Sequence, residues 1–169
     1  MEKEMEIFLR RDEDGFREFI RKHKSQVFKT IYSFCGNTSD AEDIAQEVFI
    51  SVWKNAKKFK GQSSVSTWLY RITVNKCIDW MRKKKMTVEL NENLDFMQEK
   101  SGEARYIVEK LLSKLPEKYK AIVVLREMDG FSYEEISKIL KISKDNVKVL
   151  LFRAREKMRE IANEMQIFK

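Results

Sequence analysis

Trp68, Arg71, Asn75, Asp79 and Arg82 recur at intervals of three and four residues, so on a helix they share one wedge of surface. An aromatic ring beside guanidinium and amide groups suits single-stranded nucleic acid. A base stacks on the ring for about 1–3 kcal/mol, phosphates pair with the cations, and the amide can read a base edge. The opposing reading is that a Trp at helical spacing belongs to a core. The spacing places Trp80 in the core and leaves Trp68 open between the two.

Two further constellations carry charge or exposed apolar groups. Asp43, Gln46, Glu47, Ile50 and Lys54 fill one half of a wheel whose other half is Ile44, Ala45, Val48, Phe49, Val52 and Trp53. An acidic patch with an exposed Ile in its middle is a docking face for a protein partner, or else a solvated face with one stray apolar residue. On a third helix Val147, Leu151, Ala154 and Met158 form a core stripe, opposite Asp145, Lys148, Val149, Phe152, Arg153 and Glu156. An outward Phe and Val fit thymine methyls in a major groove, with Lys148 and Arg153 for phosphates or guanine edges. The alternative is that the tail from Ile161 to Phe168, or the other domain, covers Phe152.

The elements that must position these groups are helices. A single Pro in 169 residues is hard to reconcile with a turn-rich β fold. Asp12 to Cys35 has apolar residues at helical spacing, and Gly36 stops it. Ser39 to Glu42 matches a capping box that would start a second helix at Asp40. Gly61 to Ser64 form a polar loop before a helix restarting near Ser66. Ile107 to Leu115 is amphipathic, and Pro116 opens a helix predicted to run to Met128 with Gly130 as its stop. Ser132 with Glu135 makes another capping box. A short helix from Ser132 to Leu140, a turn at Lys141–Ser143 and a longer basic helix from Lys144 then give a helix-turn-helix outline.

Charge follows the same division. Residues 54–85 hold ten Lys/Arg and one acid, residues 87–103 five acids and one base, and residues 144–159 six bases and two acids. Two basic segments flanking an acidic connector suggest two surfaces for a polyanion, where solvated helix faces are the plainer account. The predicted organisation is all-α, with an N-terminal domain over 1–86, an acidic linker over 87–103 and a C-terminal domain over 104–169. No apolar run reaches the ~18 residues of a transmembrane helix, and no signal-peptide core is present. Cys35 and Cys77 lie far apart outside any CxxC, and His23 is the single His, so neither disulfide, metal nor cofactor is expected. The chain reads as soluble and cytoplasmic.

The stretches DAEDIAQEVFISVWKN (40–55), STWLYRITVNKCIDWMR (66–82), LPEKYKAIVVLREMDGFSYEEISKIL (115–140) and FRAREKMR (152–159) resemble the extracytoplasmic-function (ECF) subfamily of bacterial sigma factors in order, spacing and total length. The resemblance implies two helical domains on a flexible linker that bind core RNA polymerase and select promoters. It implies polymerase docking through Asp43, Gln46, Glu47 and Ile50. Recognition of a melted −10 element falls to Lys60, Ser63, Ser64, Trp68, Arg71, Asn75 and Arg82. Recognition of a duplex −35 element falls to Lys144, Asn146, Lys148, Val149, Phe152 and Arg153. It further implies an anti-sigma factor, which can be membrane-anchored, as inhibitor of a chain that is monomeric when free and does not itself bind membrane. Three departures from the family pattern affect the −35 reader: Lys141 where Gly is common, Asp145-Asn146 for Gly-Thr, and Val149-Leu150 for Ser-Arg. A plain helix-turn-helix regulator binding DNA as a dimer is the rival reading. An enzyme is remote, because no Gly-rich phosphate loop or cluster of acids is present.

Overall fold

A computed structural model describes Glu6 and residues 12–88 and 102–167, with side chains to 86 in the first segment. Most of the expected linker (89–101) therefore lies outside the described residues. Helix α1 spans Glu13–Cys35, α2 Thr38–Asn55 and α3 Val65–Val88. After the gap come α4 Glu103–Lys114, α5 Glu117–Val123, a π-helical turn Val124–Met128, α6 Tyr133–Leu140 and α7 Lys144–Glu164. Among the described residues the structure is helical throughout, as composition had implied.

In α1, Phe19, Val27, Ile31 and Phe34 recur on one face and are buried, each contributing about 1.5–3 kcal/mol of transfer free energy. Gly36 ends the helix at φ 74°, donating its N–H to the Tyr32 carbonyl at 2.8 Å. That turn delivers Asn37 in an extended conformation (φ −146°, ψ 153°), and Asn37 becomes the N-cap of α2. Its Oδ1 accepts from the Asp40 N–H at 2.9 Å, while its Nδ2 donates to the Asp40 carboxylate at 2.7 Å. The helix thus begins at Thr38, and the Ser39–Glu42 capping box does not form, because Ser39 is already inside the helix. Ala41, Ile44, Val48 and Val52 bury the face of α2 that packs on α1 and α3.

A 3-10 turn at Ala56–Lys58 and a loop with Gly61 at φ 68° lead into α3. Ser64 starts that helix by accepting the Thr67 N–H at 3.0 Å. Val65, Leu69, Val74 and Cys77 fill the space between α1 and α2.

The second half is built on α5, α6 and α7. Pro116 is the N-cap of α5 rather than its first residue, and the expected run to Met128 holds only if its last turn widens. There Asp129 N–H donates to Val124 C=O at 3.0 Å, five residues back, and Gly130 at φ 74° completes the exit. The Ser132–Glu135 capping box forms with both reciprocal bonds, at 3.1 and 2.8 Å. Lys141 takes the left-handed conformation (φ 55°, ψ 46°) that a Gly would adopt without strain. Ser143 caps α7, and Ile136, Ile139, Val147, Leu151 and Ala154 are buried between α6, α7 and α5.

The two halves also touch. α3 packs on α6 and α5, while α1 packs on α4 and the π turn.

Candidate functional site

The basic helix of the helix-turn-helix is the best-defined surface. Val147 and Leu151 point inward, and this turns Val149 and Phe152 outward, 48% and 65% exposed. Nothing among the described residues covers Phe152, although Ile161 and Ala162 of the tail are buried elsewhere. Arg153 is exposed and makes no ion pair among the described residues, leaving its fork available to a phosphate or base. Lys144 contacts Glu134 at 3.2 Å and Lys148 approaches Asp145 at 3.9 Å. Both pairs are solvent-exposed and worth little, so they yield readily to DNA phosphates. Hydrogen bonds from Lys144 and Lys138 hold the Glu134 carboxyl below its ordinary range. Asn146 is exposed at the helix start, its N–H held by the Ser143 hydroxyl at 3.1 Å.

On α2, Asp43, Gln46, Glu47 and Ile50 are all exposed, Ile50 by 52%. Glu47 carries a loose ion pair with Lys76 of α3 at 3.3 Å. Beside this face runs an open apolar groove of 660 Å³ between α1 and α2, lined by Phe16, Ile20, Phe49, Ile50 and Trp53 and rimmed by Arg17, Lys24 and Gln46. The apolar content of that groove was not evident from the α2 wheel alone, because half of its wall comes from α1.

The α3 wedge is more divided. Trp68 is half-buried, tilted against Phe59 with ring centroids 5.1 Å apart. Trp80 is half-buried rather than fully enclosed, with Lys84 Nζ 4.6 Å above its ring. Asn75 is exposed, as are Lys60 and Arg82. Ser63 and Ser64 are partly buried, and the Ser64 hydroxyl is committed to Thr67 as acceptor and as donor at 2.9 Å. Two of the cations are already engaged by the other half. Arg71 donates from Nε and an Nη to the Lys138 carbonyl at 3.1 and 2.7 Å, and Arg82 pairs with Glu117 at 2.9 Å.

Sequence reasoning passed over the residues that join the halves. Lys120 of α5 is 5% exposed and donates to the Phe34 carbonyl at 2.6 Å. Burial lowers its pKa to about 8. Asp129 accepts from Gln26 at 2.9 Å and from Thr30 at 2.8 Å, and burial raises its pKa. The Tyr70 hydroxyl lies beside them, and burial, with the Asp129 charge, pushes it up to about 12. A signal for Lys120 did exist: it immediately precedes the unbroken apolar run Ala121 to Leu125. Gln26, Thr30 and Asp129 carry no such mark. Among the described residues no group of His, Cys, Asp and Glu could hold a metal ion, and no helix is long and apolar enough to cross a membrane.

Two family models match separate segments of the chain. Residues 19–87 match the family model for Sigma-70 region 2, and residues 105–158 that for Sigma-70, region 4. The ECF RNA polymerase sigma factor SigW of Bacillus subtilis is 34% identical over 167 residues, covering 88% of this chain and 89% of its own. The ECF RNA polymerase sigma-E factor of Escherichia coli is 31% identical, covering 86% of this chain and 85% of its own. Among solved structures, CnrH in complex with the cytosolic domain of CnrY superposes with a TM-score of 0.73 at 23% identity, covering 95% and 96% of the two chains. The sigma factor RpoE in complex with the anti-sigma factor NepR from Bartonella quintana gives 0.69 at 21% identity, covering 88% and 96%.

Proposed function

Because this chain belongs to the ECF RNA polymerase sigma factors, we propose that it binds bacterial core RNA polymerase and directs initiation at its own promoters through the residues above. Asp43, Gln46, Glu47 and Ile50 dock on the polymerase. Lys60, Ser63, Ser64, Trp68, Arg71, Asn75 and Arg82 take the −10 element as melted single strand. Lys144, Asn146, Lys148, Val149, Phe152 and Arg153 read the −35 element as duplex. The division of labour follows 1–86 and 104–169, joined by 87–103.

The carrying observation is Phe152, an aromatic ring 65% exposed on a capped, core-packed basic helix, with an unpaired Arg153 next to it. Solvent exposure of so large a ring has a use if thymine methyls or base edges cover it. Extruding a −10 base costs a few kcal/mol of stacking, so a preformed ring-and-amide surface contributes both opening and sequence choice. Bond formation belongs to the polymerase, and this chain acts in the cytoplasm as a non-enzymatic subunit. Its inhibitor is an anti-sigma factor, a reading supported by the similarly folded RpoE complex with NepR.

In vitro transcription tests the proposal. The purified chain is added to sigma-free core polymerase over fragments of its source genome. Discrete transcripts that depend on the chain are expected, and their start sites locate both promoter elements. Duplex binding as a dimer without transcripts would favour the plain regulator instead.

A further inference from the structure

The α1 helix ends without a basic residue in its last turn, so its carbonyl dipoles lack a cation from their own segment. The cation comes from the other half of the molecule. Lys120 Nζ reaches the Phe34 carbonyl, one of the last four of α1, at 2.6 Å. Cys35, Cys77 and Lys84 face the same ammonium. A second polar contact closes the opposite side of the seam, where Asp129 receives Gln26 and Thr30. Beside Asp129, Tyr70 meets Phe131 edge-on, ring centroids 4.6 Å apart at 66°.

This seam has a direct effect on the α3 wedge. The Arg71 guanidinium gives two hydrogen bonds to the Lys138 carbonyl, which lies two residues before the end of α6. A guanidinium donating twice to a protein carbonyl has those donors withdrawn from a phosphate or base. Arg82 is drawn to Glu117 in the same way. We propose that the C-terminal half is an intramolecular inhibitor of the N-terminal half: Lys120 and Asp129 clasp α1 while the end of α6 occupies Arg71, so single-stranded DNA is admitted only after the halves part. The proposal rests on the −10 reading through Arg71, and the clasp itself rests on geometry alone.

The test uses the full chain, labelled with a fluorescent donor and acceptor at Ser25→Cys and Ser113→Cys. Both positions are exposed, and the native Cys35 and Cys77 are buried and leave the label to the new thiols. Asp129→Ala and Lys120→Glu are each expected to lengthen the distance between labels. Each should also raise affinity for a mixed-sequence 12-nucleotide single strand at least tenfold, with helix content by circular dichroism unchanged. Asp129→Ala removes a side chain at the edge of the seam, so it keeps the test open if Lys120→Glu fails to fold. Conversely, Gln26→Cys with Asp129→Cys, joined by a short bismaleimide, should bind the strand more weakly than the same protein before joining.

An unchanged distance in a folded Asp129→Ala protein overturns the clasp. A longer distance with no gain in strand affinity overturns the inhibition. Should Arg71→Ala in the opened chain bind the strand as tightly as its parent, the −10 assignment of Arg71 falls and the inhibition with it. The distance measurement would still report the clasp in that case.

Discussion

Under the proposed function, single residues divide the two DNA-reading roles. Phe152 is exposed and makes no core contact, so Phe152→Ala should leave the melting temperature within about 2 °C. Loss of a ring whose burial against the bases is worth about 1.5–3 kcal/mol should weaken duplex −35 binding roughly tenfold or more, read by fluorescence anisotropy. Asn75→Ala should do the reverse, sparing duplex affinity while reducing permanganate reactivity of the melted −10 region. Equal losses in both assays would sink the separation of roles. At this scale the sequence was most informative where a residue broke a pattern, as Phe152 and Val149 break a polar face. It was silent on Arg71's acceptor, because a carbonyl 67 residues away leaves no local trace.

Elements were legible to the extent that their signals are local. The Ser132–Glu135 box and the four-three-four stripe on α7 needed nothing beyond neighbouring residues, whereas Lys141 takes a left-handed conformation that its side chain disfavours. The start of α2 was misread for an equally local reason: Asn37, two residues before Ser39, was passed over as a cap. The backbone emerging from Gly36 decides between them by leaving Asn37, not Ser39, extended. Asn37→Ala should therefore cost about 1 kcal/mol of stability in urea unfolding, and Ser39→Ala close to nothing. The reverse ranking would restore the capping box. The π turn was not foreseeable, since Val124 to Met128 has ordinary helical composition, and its wider exit is what carries Asp129 to Gln26 and Thr30.

At the scale of the molecule, the buried Lys120 makes closure depend on pH. Its pKa is about 8 when the halves are together, against about 10.4 for a lysine in water. Below pH 8 the ammonium is charged in both states, so its contribution to closure does not change with pH. Between about pH 8 and 9.5 the closed state holds fewer protons, so closure strengthens as pH rises, by up to about tenfold per unit in the opening equilibrium. Burial raises the Cys35 and Cys77 thiols, a shift of the opposite sign to that of Lys120, so a thiol that opening exposes subtracts from this strengthening. The label-to-label distance in the chain carrying Ser25→Cys and Ser113→Cys should shorten over this range. Lys120→Met should flatten that response, and an unaltered slope would remove Lys120 from the account.

Both sides of the seam belong to one polypeptide, so its closure is a first-order event governed by effective concentration rather than by how much protein a cell contains. Dilution does not loosen it, and adding more of the chain does not tighten it. A single strand that takes Arg71 acts, in contrast, by mass action and gains as its own free concentration rises. Strand binding then tracks the supply of strand against an internal threshold that is independent of how much of the chain is present. Substitutions along α1, α5 and the π turn would reset that threshold without touching a DNA-reading side chain.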